Sequence, residues 1–329
     1  MRLKFTNIAI IKEADIELSG LTVIAGKNDS GKSTVGKVLY TLIKSISLSN
    51  IIKTSKENNL QKSEFNEYIN SIFKNQISED ANIEFSYNDT TFDIKILNDR
   101  CEEFHVPSSY MNDDLGKYRP IFIETPFIWS IFATLKTINN LEARGNEVEF
   151  NISSVIQDLY FMLMQNIKTK DTTIKLDIKN IINGEFVENN LGDYSFKKGE
   201  KNIDLTNTAM GIKYFGLLQV LSKNNHFYKG QILILDEPEV HLHPSWQLEL
   251  AKIIVELVAN GVIVLVNSHS PYMIEALERY AKRRGIKNNF YLSDDGKIIK
   301  DDDSLSKIFE KLSEPFREFD KMDSEIFNG

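Results

Sequence analysis

The chain has 329 residues and is 42% hydrophobic, so it is long enough to bury one large core or two modest ones. Its net charge of -8 excludes a globally basic nucleic-acid binder but not a local basic face, and a single cysteine, Cys101, excludes an internal disulfide and a cysteine metal cluster. No apolar run approaches the roughly 20 residues of a membrane span, and the N-terminal residues lack a signal-peptide core. We therefore expect a cytoplasmic protein without a membrane partner.

The first part of the chain alternates between strand patterns and helical patterns. Alternating or continuous apolar residues predict strands, and apolar spacing of about 3.6 predicts a helix. The expected elements are antiparallel strands at 3–5 and 14–18, a buried strand at 21–25, a helix at 32–47, and a hairpin of 83–87 with 92–96. Residues 48–80 are polar and rich in lysine, with only weak helical periodicity.

The remainder of the chain predicts a parallel sheet with crossover helices, because strands and helices alternate. The expected elements are a strand at 121–123, mostly helices over 127–168, short strands over 180–205, helices at 211–221, 245–259 and 271–284, and buried strands at 231–235 and 262–266. We divide the chain into an N-terminal lobe (1–126), a mostly helical insertion (127–200) and a C-terminal lobe (201–329). The acidic run at 301–303 reads as a solvated loop.

Residues 26–34, GKNDSGKST, fit the phosphate-loop pattern G-x-x-x-x-G-K-[ST] between a predicted buried strand and a helix. Glycines let the backbone form a nest of N–H donors, and the following helix directs its positive end at the same anion. Lys32 would bridge the β- and γ-phosphates, Ser33 would ligate Mg²⁺, and Thr34 could contact the α-phosphate. The alternative is an ordinary glycine turn. The expected nucleotide-binding residues of the loop are Gly26, Asn28, Asp29, Ser30, Gly31, Lys32, Ser33 and Thr34.

Two carboxylates, Asp236 and Glu237, follow the apolar strand 231–235. A strand that ends in this way places both groups at the carboxyl edge of the sheet, beside the phosphate loop. Asp236 would then hold the Mg²⁺ shell together with Ser33, and Glu237 would act as general base toward the attacking water. The alternative is a strand that ends in a surface acidic turn.

With the segments His241-Leu242-His243-Pro244 and Asn267-Ser268-His269-Ser270-Pro271, these motifs resemble the ABC-type ATPase domain. The closer resemblance is to the RecF/SMC-like branch, which includes the ATPase half of OLD-family proteins. It covers 1–45 and 200–275 strongly. It implies an α/β P-loop NTPase fold with an ABC-type head: a mixed or parallel central sheet flanked by helices, an N-terminal antiparallel β layer, and a helical insertion.

The same resemblance implies a composite site. In the family, a signature segment from the opposite subunit faces the γ-phosphate; here it matches Asn207, Thr208 and Gly211, although Ala209 replaces the usual serine. His269 matches the switch histidine, which senses the γ-phosphate, and 239–244 matches the D-loop. The implied cofactors are ATP and Mg²⁺, within an ATP-sandwiched homodimer or higher oligomer. Gly211 could instead simply begin a core helix, and His269 could be an ordinary polar residue at a strand end.

Some further residues admit two interpretations. Glu124 follows a strand where the family has its Q-loop, so it either touches the metal shell or ends the strand. His241 and His243 suggest a metal site, but the family pattern explains them better. A basic cluster could bind DNA or could reflect ordinary helix electrostatics, and it comprises Arg279, Lys282, Arg283, Arg284 and Lys287. Lys44, Lys53 and Lys56 are ambiguous in the same way.

The expected activity is ATP hydrolysis that drives a dimerising switch, which acts on a separate effector protein. Only about sixty residues follow His269, and they show no second acidic active-site pattern, so the chain reads as an ATPase module that works on a partner. By family analogy we place it in bacterial anti-phage defence. The alternatives are a RecF-like ATPase that binds DNA, and a nucleotide-dependent scaffold with negligible turnover, for which Ala209 is the motive.

Overall fold

We describe the protein from a computed structural model. The structure describes residues 1–49, 57–74, 76–105, 119–145, 152–168, 172–302, 305–315, 319 and 321–323. Lys53, Lys56 and Asp303 lie outside the described residues, so the expectations placed on them are not addressed by the fold.

One large mixed sheet organises the described residues, and a small antiparallel sheet packs beside it. The large sheet has eleven strands in the order β6-β5-β4-β1-β2-β14-β13-β3-β12-β11-β7, and the small sheet has the order β10-β9-β8. The strands are β1 (Arg2–Ile8), β2 (Ile11–Glu17), β3 (Leu21–Ala25), β4 (Ile77–Tyr87), β5 (Thr90–Leu97), β6 (Arg100–His105), β7 (Ile121–Ile123), β8 (Glu185–Glu188), β9 (Tyr194–Lys198), β10 (Lys201–Asp204), β11 (Ile232–Asp236), β12 (Ile263–Ser268), β13 (Asn288–Asp294) and β14 (Lys297–Lys300).

The register of the parallel strands brings the predicted motifs to one edge of the sheet. β12 lies between β3 and β11, so that Ser268 is opposite Ala25 and Asn267 is opposite Asp236. On the outer side, β7 pairs with β11, and Ile123 is opposite Leu235. The segments that leave the carboxyl ends of these strands therefore meet at the same edge. This is the edge at which open parallel sheets bind their ligands.

Helices cover both faces of the parallel strands. They are α1 (Lys32–Ser49), α2 (Glu57–Phe73), α3 (Ile128–Ala143), α4 (Ser154–Met164), α5 (Lys179–Ile182), α6 (Met210–Lys223), α7 (Pro244–Ala259), α8 (Pro271–Arg283) and α9 (Ser306–Leu312). Within the described residues, no helix is both long enough and apolar enough to cross a membrane.

Alternation along each strand divides the apolar side chains between two cores. In β11, Leu233 and Leu235 join a cluster with α3, α4, α6, α7 and α8, whereas Ile232 and Ile234 join a cluster with α1, α2 and the antiparallel strands. All four side chains are no more than 1% exposed, which explains why this strand is continuously apolar. The same two-sided burial fixes the position of the strand end and hence of Asp236.

The expected α/β fold is confirmed, including the antiparallel N-terminal layer and the helices after residue 127. Two smaller points follow from the packing. Lys44, whose role was open, pairs with Asp158 through its ammonium, and its side chain is 10% exposed. Asp301 is not part of a solvated loop, because it is buried and its Oδ2 accepts the backbone N–H of Ile308 at 3.2 Å. Both groups contribute to packing.

Candidate functional site

The phosphate loop lies between β3 and the first turn of α1, as its sequence context predicts. Gly31 has a φ of +96°, and a Cβ atom there would lie 2.3 Å from Cδ1 of Ile11. The loop is also held from β13, since the Ser293 hydroxyl donates to the Ser30 carbonyl at 2.7 Å. Glycine is therefore required at 31 both for conformation and for the close approach of β2.

We expect Gly31→Ala to lower the free energy of unfolding by about 1–3 kcal/mol, because alanine meets both a disfavoured φ and a steric clash. Gly199→Ala is the matched control: Gly199 has a φ of +58°, but nothing lies within 4 Å of its added Cβ. Urea unfolding measures both variants. An equal loss in the two would show that the contact with Ile11 contributes nothing.

Lys32 occupies the centre of the site. Its side chain is only 3% exposed, and its ammonium donates to the carbonyl of Lys27 at 2.6 Å across the loop. The same nitrogen lies 3.5 Å from Oε1 of Glu237. One buried cation thus lies between the phosphate loop and the carboxylates at the end of β11, which is where an anionic phosphate chain would need charge neutralisation.

Asp236 is buried at the end of β11, with 8% of its surface exposed. Its Oδ1 accepts from the side-chain amide of Asn267 at 2.8 Å, and the Ser33 hydroxyl lies near enough to influence its pKa. Burial raises the pKa of Asp236, and the charge of Glu237 raises it further, whereas the hydrogen bond from Asn267 and the nearby Ser33 hydroxyl lower it. A carboxylate and a hydroxyl that line the same cleft fit Mg²⁺, which prefers oxygen ligands and takes few of them from the protein.

Glu237 and His269 lie together beside this pair. Glu237 has a φ of 48°, and its backbone N–H donates to the carbonyl of Asn267 at 2.9 Å, which sets the direction of its side chain. Nδ1 of His269 is 3.3 Å from Oε1 of Glu237 and 3.3 Å from Oε1 of Glu239. Neither approach has hydrogen-bonding geometry, so within the described part of the chain this buried nitrogen has no hydrogen-bond partner. The predicted base and the predicted switch residue are therefore neighbours.

Glu239 belongs to the site although it was expected only as part of the loop 239–244. Its side chain is 3% exposed, and its Oε1 accepts from the Ser268 hydroxyl at 2.7 Å and from the backbone N–H groups of His269 and Ser270 at 2.8 and 3.1 Å. Glu239 thereby ties the turn after β11 to the turn that carries His269. The only sequence signal for it is an acidic residue two positions after Glu237.

A cleft of about 380 Å³ opens above these residues. Asn28, Asp29 and Ser33 line one side of it, and Asp236, Glu237 and Tyr214 line the other. Its size and the several oxygen-bearing side chains that line it suit a polyphosphate with a metal ion, and the buried Lys32 ammonium lies next to one of them, Glu237.

Glu124 lines the same cleft, as expected for the residue after β7. Burial raises the pKa of Glu124, Asp236 raises it further, and the Lys37 ammonium 3.8 Å away lowers it. Glu124 is thus close enough to Asp236 to influence the metal site electrostatically.

The predicted signature segment leads into the first turn of α6. Among the described residues, no hydrogen bond or ion pair joins Asn207, Thr208 or Gly211 to residues 26–34. Thr208 is buried and its hydroxyl donates to the Asp204 carbonyl at 2.9 Å, so this hydroxyl is engaged locally. Ala209 is the exposed N-cap of α6 and supplies no side-chain hydrogen bond. The first backbone N–H groups of α6 therefore have no side-chain cap.

Several of the histidines and basic residues of uncertain role have ordinary partners. Nδ1 of His243 accepts from the backbone N–H of Ser245 at 3.3 Å as the N-cap of α7. Within the described ranges, no group of three or more His, Cys, Asp or Glu side chains could hold a metal ion. In the basic cluster, three cations form ion pairs, namely Arg279 with Glu275, Lys282 with Glu278, and Lys287 with Glu17.

Comparison with known proteins supports the same chemistry. Residues 129–274 match the family model of an AAA ATPase domain, a range that includes Asp236, Glu237 and His269 but begins after the phosphate loop. None of the curated proteins matches the sequence.

Solved structures with a similar fold include an SMC head bound to the C-winged helix domain of ScpA, at 14% identity and a TM-score of 0.52, covering 93% of this chain and 98% of that one. Others are the SMC head domain from Thermotoga maritima, at 14% identity and a TM-score of 0.43 over 91% and 97% of the two chains, and an ATP-binding cassette of an ABC transporter, at 14% identity and a TM-score of 0.41 over 96% of each. The chain therefore has the α/β fold of an SMC head, and the match of residues 129–274 to an AAA ATPase domain supports a nucleotide-binding ATPase.

Proposed function

We propose that the chain binds ATP with Mg²⁺ in the cleft beside the phosphate loop and hydrolyses it, and that bound ATP pairs two copies of the chain. The observation that carries the proposal is the convergence of Lys32, Ser33, Asp236, Glu237 and His269 at one edge of the sheet. These residues come from three separate parts of the sequence, and they lie around a buried ammonium. Such an arrangement suits an anionic phosphate ligand.

Each residue has a distinct task in the proposed hydrolysis. Lys32 neutralises phosphate charge, and Ser33 with Asp236 would hold Mg²⁺, which supplies further neutralisation of the phosphate oxygens. Glu237 takes a proton from the attacking water, and its backbone bond to Asn267 fixes its direction. His269, beside Glu237, is placed to hydrogen-bond the terminal phosphate and to report its presence.

The second half of the site would come from another copy. The N-terminus of α6 has no side-chain cap and presents the exposed residues Asn207 and Ala209. Uncapped N–H groups and the helix dipole favour an anion, so this helix start suits the terminal phosphate of ATP held by a partner copy. Closure of the dimer around two nucleotides would then depend on ATP, and hydrolysis would release it.

The output of such a switch would be a change of shape passed to a separate effector protein, as in an anti-phage defence system related to the OLD family. One support is that an SMC head of the same fold is bound to the C-winged helix domain of ScpA, so a head of this shape can carry a partner. Direct action on DNA is less well supported, because three of the five basic residues of the cluster 279–287 are already paired with carboxylates.

The test is the mass in solution of the Glu237→Gln protein with and without Mg-ATP. Removal of the base should lower turnover by about a hundredfold or more, because general-base catalysis typically contributes that much. ATP should then remain bound, and the mass should rise to that of a paired assembly.

Glu249→Gln is the matched control, because Glu249 pairs with Lys252 on the surface of α7, away from the cleft. This variant should hydrolyse ATP at the normal rate and should not accumulate the larger assembly. Bound ATP with no change in mass in the Glu237→Gln protein would contradict the dimerising switch and favour a nucleotide-dependent scaffold. Equal turnover in the two variants would show that Glu237 is not the base.

A further inference from the structure

Among the buried polar atoms near the site that have no hydrogen-bond partner within the described residues are the hydroxyl of Tyr214 and Oε2 of Glu239. Tyr214 is 1% exposed and the side chain of Glu239 is 3% exposed. Buried polar groups are nearly always hydrogen-bonded, and an unpaired one costs on the order of 1–3 kcal/mol. The tyrosine hydroxyl is a hydrogen-bond donor and the carboxylate oxygen is a charged acceptor, so each can serve as the partner of the other.

The packing of α6 places the two groups on facing elements. Tyr214 lies one turn after Gly211 on α6, and it lines the nucleotide cleft together with Asp236, Glu237 and Val240. Gly211 approaches the same turn of the chain, since a Cβ there would lie 3.1 Å from Cδ2 of Leu242. The first two turns of α6 therefore pack along residues 236–242, and Glu239 is in the middle of that segment.

Glu239 is the residue through which α6 can reach His269. One carboxylate oxygen of Glu239 already accepts three hydrogen bonds from residues 268–270, while the other is free. Resting on the function proposed above, we infer that Tyr214 and Glu239 form a positioning pair: as the site closes on ATP, the Tyr214 hydroxyl donates to Oε2 of Glu239 and fixes the turn that carries His269.

This pair would link the two halves of the composite site. The start of α6 is the part proposed to contact nucleotide held by the partner copy, and Tyr214 is on the same helix, facing the nucleotide of its own copy. Contact between α6 and the nucleotide of one site would thus influence the position of His269 in the other site. Burial, followed by the charges of Glu239 and Asp236, raises the pKa of Tyr214 well above its ordinary value, so the hydroxyl remains a donor. A hydrogen bond from it to a carboxylate is charge-assisted and therefore strong.

The test compares Tyr214→Phe, Glu239→Gln and the double variant in steady-state ATP hydrolysis. Loss of one hydrogen bond to a charged group should lower kcat about ten- to a hundredfold in Tyr214→Phe, with KM changed by less than about twofold. In the Glu239→Gln background the tyrosine change should have no further effect, because the acceptor is already gone. The melting temperature without nucleotide should not fall, because the hydroxyl has no partner in this structure.

Tyr160→Phe is the matched control, since Tyr160 is a buried tyrosine of the same apolar cluster. It should keep normal kcat. Normal kcat in Tyr214→Phe, independent losses in the two single variants, or a lowered melting temperature of Tyr214→Phe would each overturn the inference and leave the proposed function intact. Failure of the unaltered chain to bind or hydrolyse ATP would refute the proposed function, and this inference with it.

Discussion

Replacing Lys32 by alanine is expected to weaken ATP binding by at least about a hundredfold. The variant lacks the buried ammonium and its charge-assisted hydrogen bonds to phosphate oxygens, each of which contributes about 1.5–3 kcal/mol. The folded chain should survive the change. In this structure Lys32 donates a hydrogen bond to the Lys27 carbonyl, and its ion pair with Glu237 is 3.5 Å long. Titration with a fluorescent ATP analogue measures the affinity, and thermal unfolding without nucleotide checks the fold.

Lys27→Ala is the control for this experiment, because it removes the same side chain from the same loop. Lys27 is 49% exposed and pairs with Glu314 instead of with the carboxylates of the cleft. Its variant should bind ATP within about threefold of the unaltered chain, since an exposed ion pair contributes little. Equal affinity in the Lys32→Ala protein and the unaltered chain would contradict the phosphate site altogether.

The residues of the site that could be predicted from sequence are those whose role is indicated by a local sequence pattern. Lys32 and Ser33 follow a glycine-rich turn after a buried strand, and Asp236 and Glu237 end another such strand. For residues of this kind, the chemistry and the secondary structure are encoded within a few positions of each other. Parallel pairing then brings strand ends together without further information, as the register of Asn267 opposite Asp236 illustrates.

Residues whose role depends on side chains reaching across elements could not be predicted in this way. Glu239 matters because its carboxylate bonds to 268–270, about thirty residues later, and Tyr214 matters because α6 packs against 236–242. The strand β13 was missed as well, since its short apolar stretch is flanked by polar residues, yet it pairs with β3 and holds the phosphate loop through Ser293. Tertiary packing decides each of these cases, and local propensity has little influence on them.

Asp236→Asn is expected to lower ATP turnover about a thousandfold, because a metal ligand supports several kcal/mol of charge stabilisation in the transition state. The same change should raise the stability of the protein when metal is chelated. Burial raises the pKa of Asp236 in the folded chain, and the nearby charge of Glu237 adds to that effect. The ionised carboxylate is therefore a source of instability at neutral pH, of the kind that active sites retain for function.

The pH dependence separates this effect from a general change in packing. A carboxyl group whose folded pKa is raised contributes its full stability below its unfolded pKa, and this contribution is lost as the pH rises through the folded pKa. The asparagine variant has no such loss. In urea unfolding with a chelator present, the two proteins should differ least near pH 4, and the variant should gain an increasing advantage until the folded pKa has been passed. A variant that is less stable by the same amount at every pH would show that the interactions with Asn267 and the Ser33 hydroxyl outweigh the cost of burying the charge.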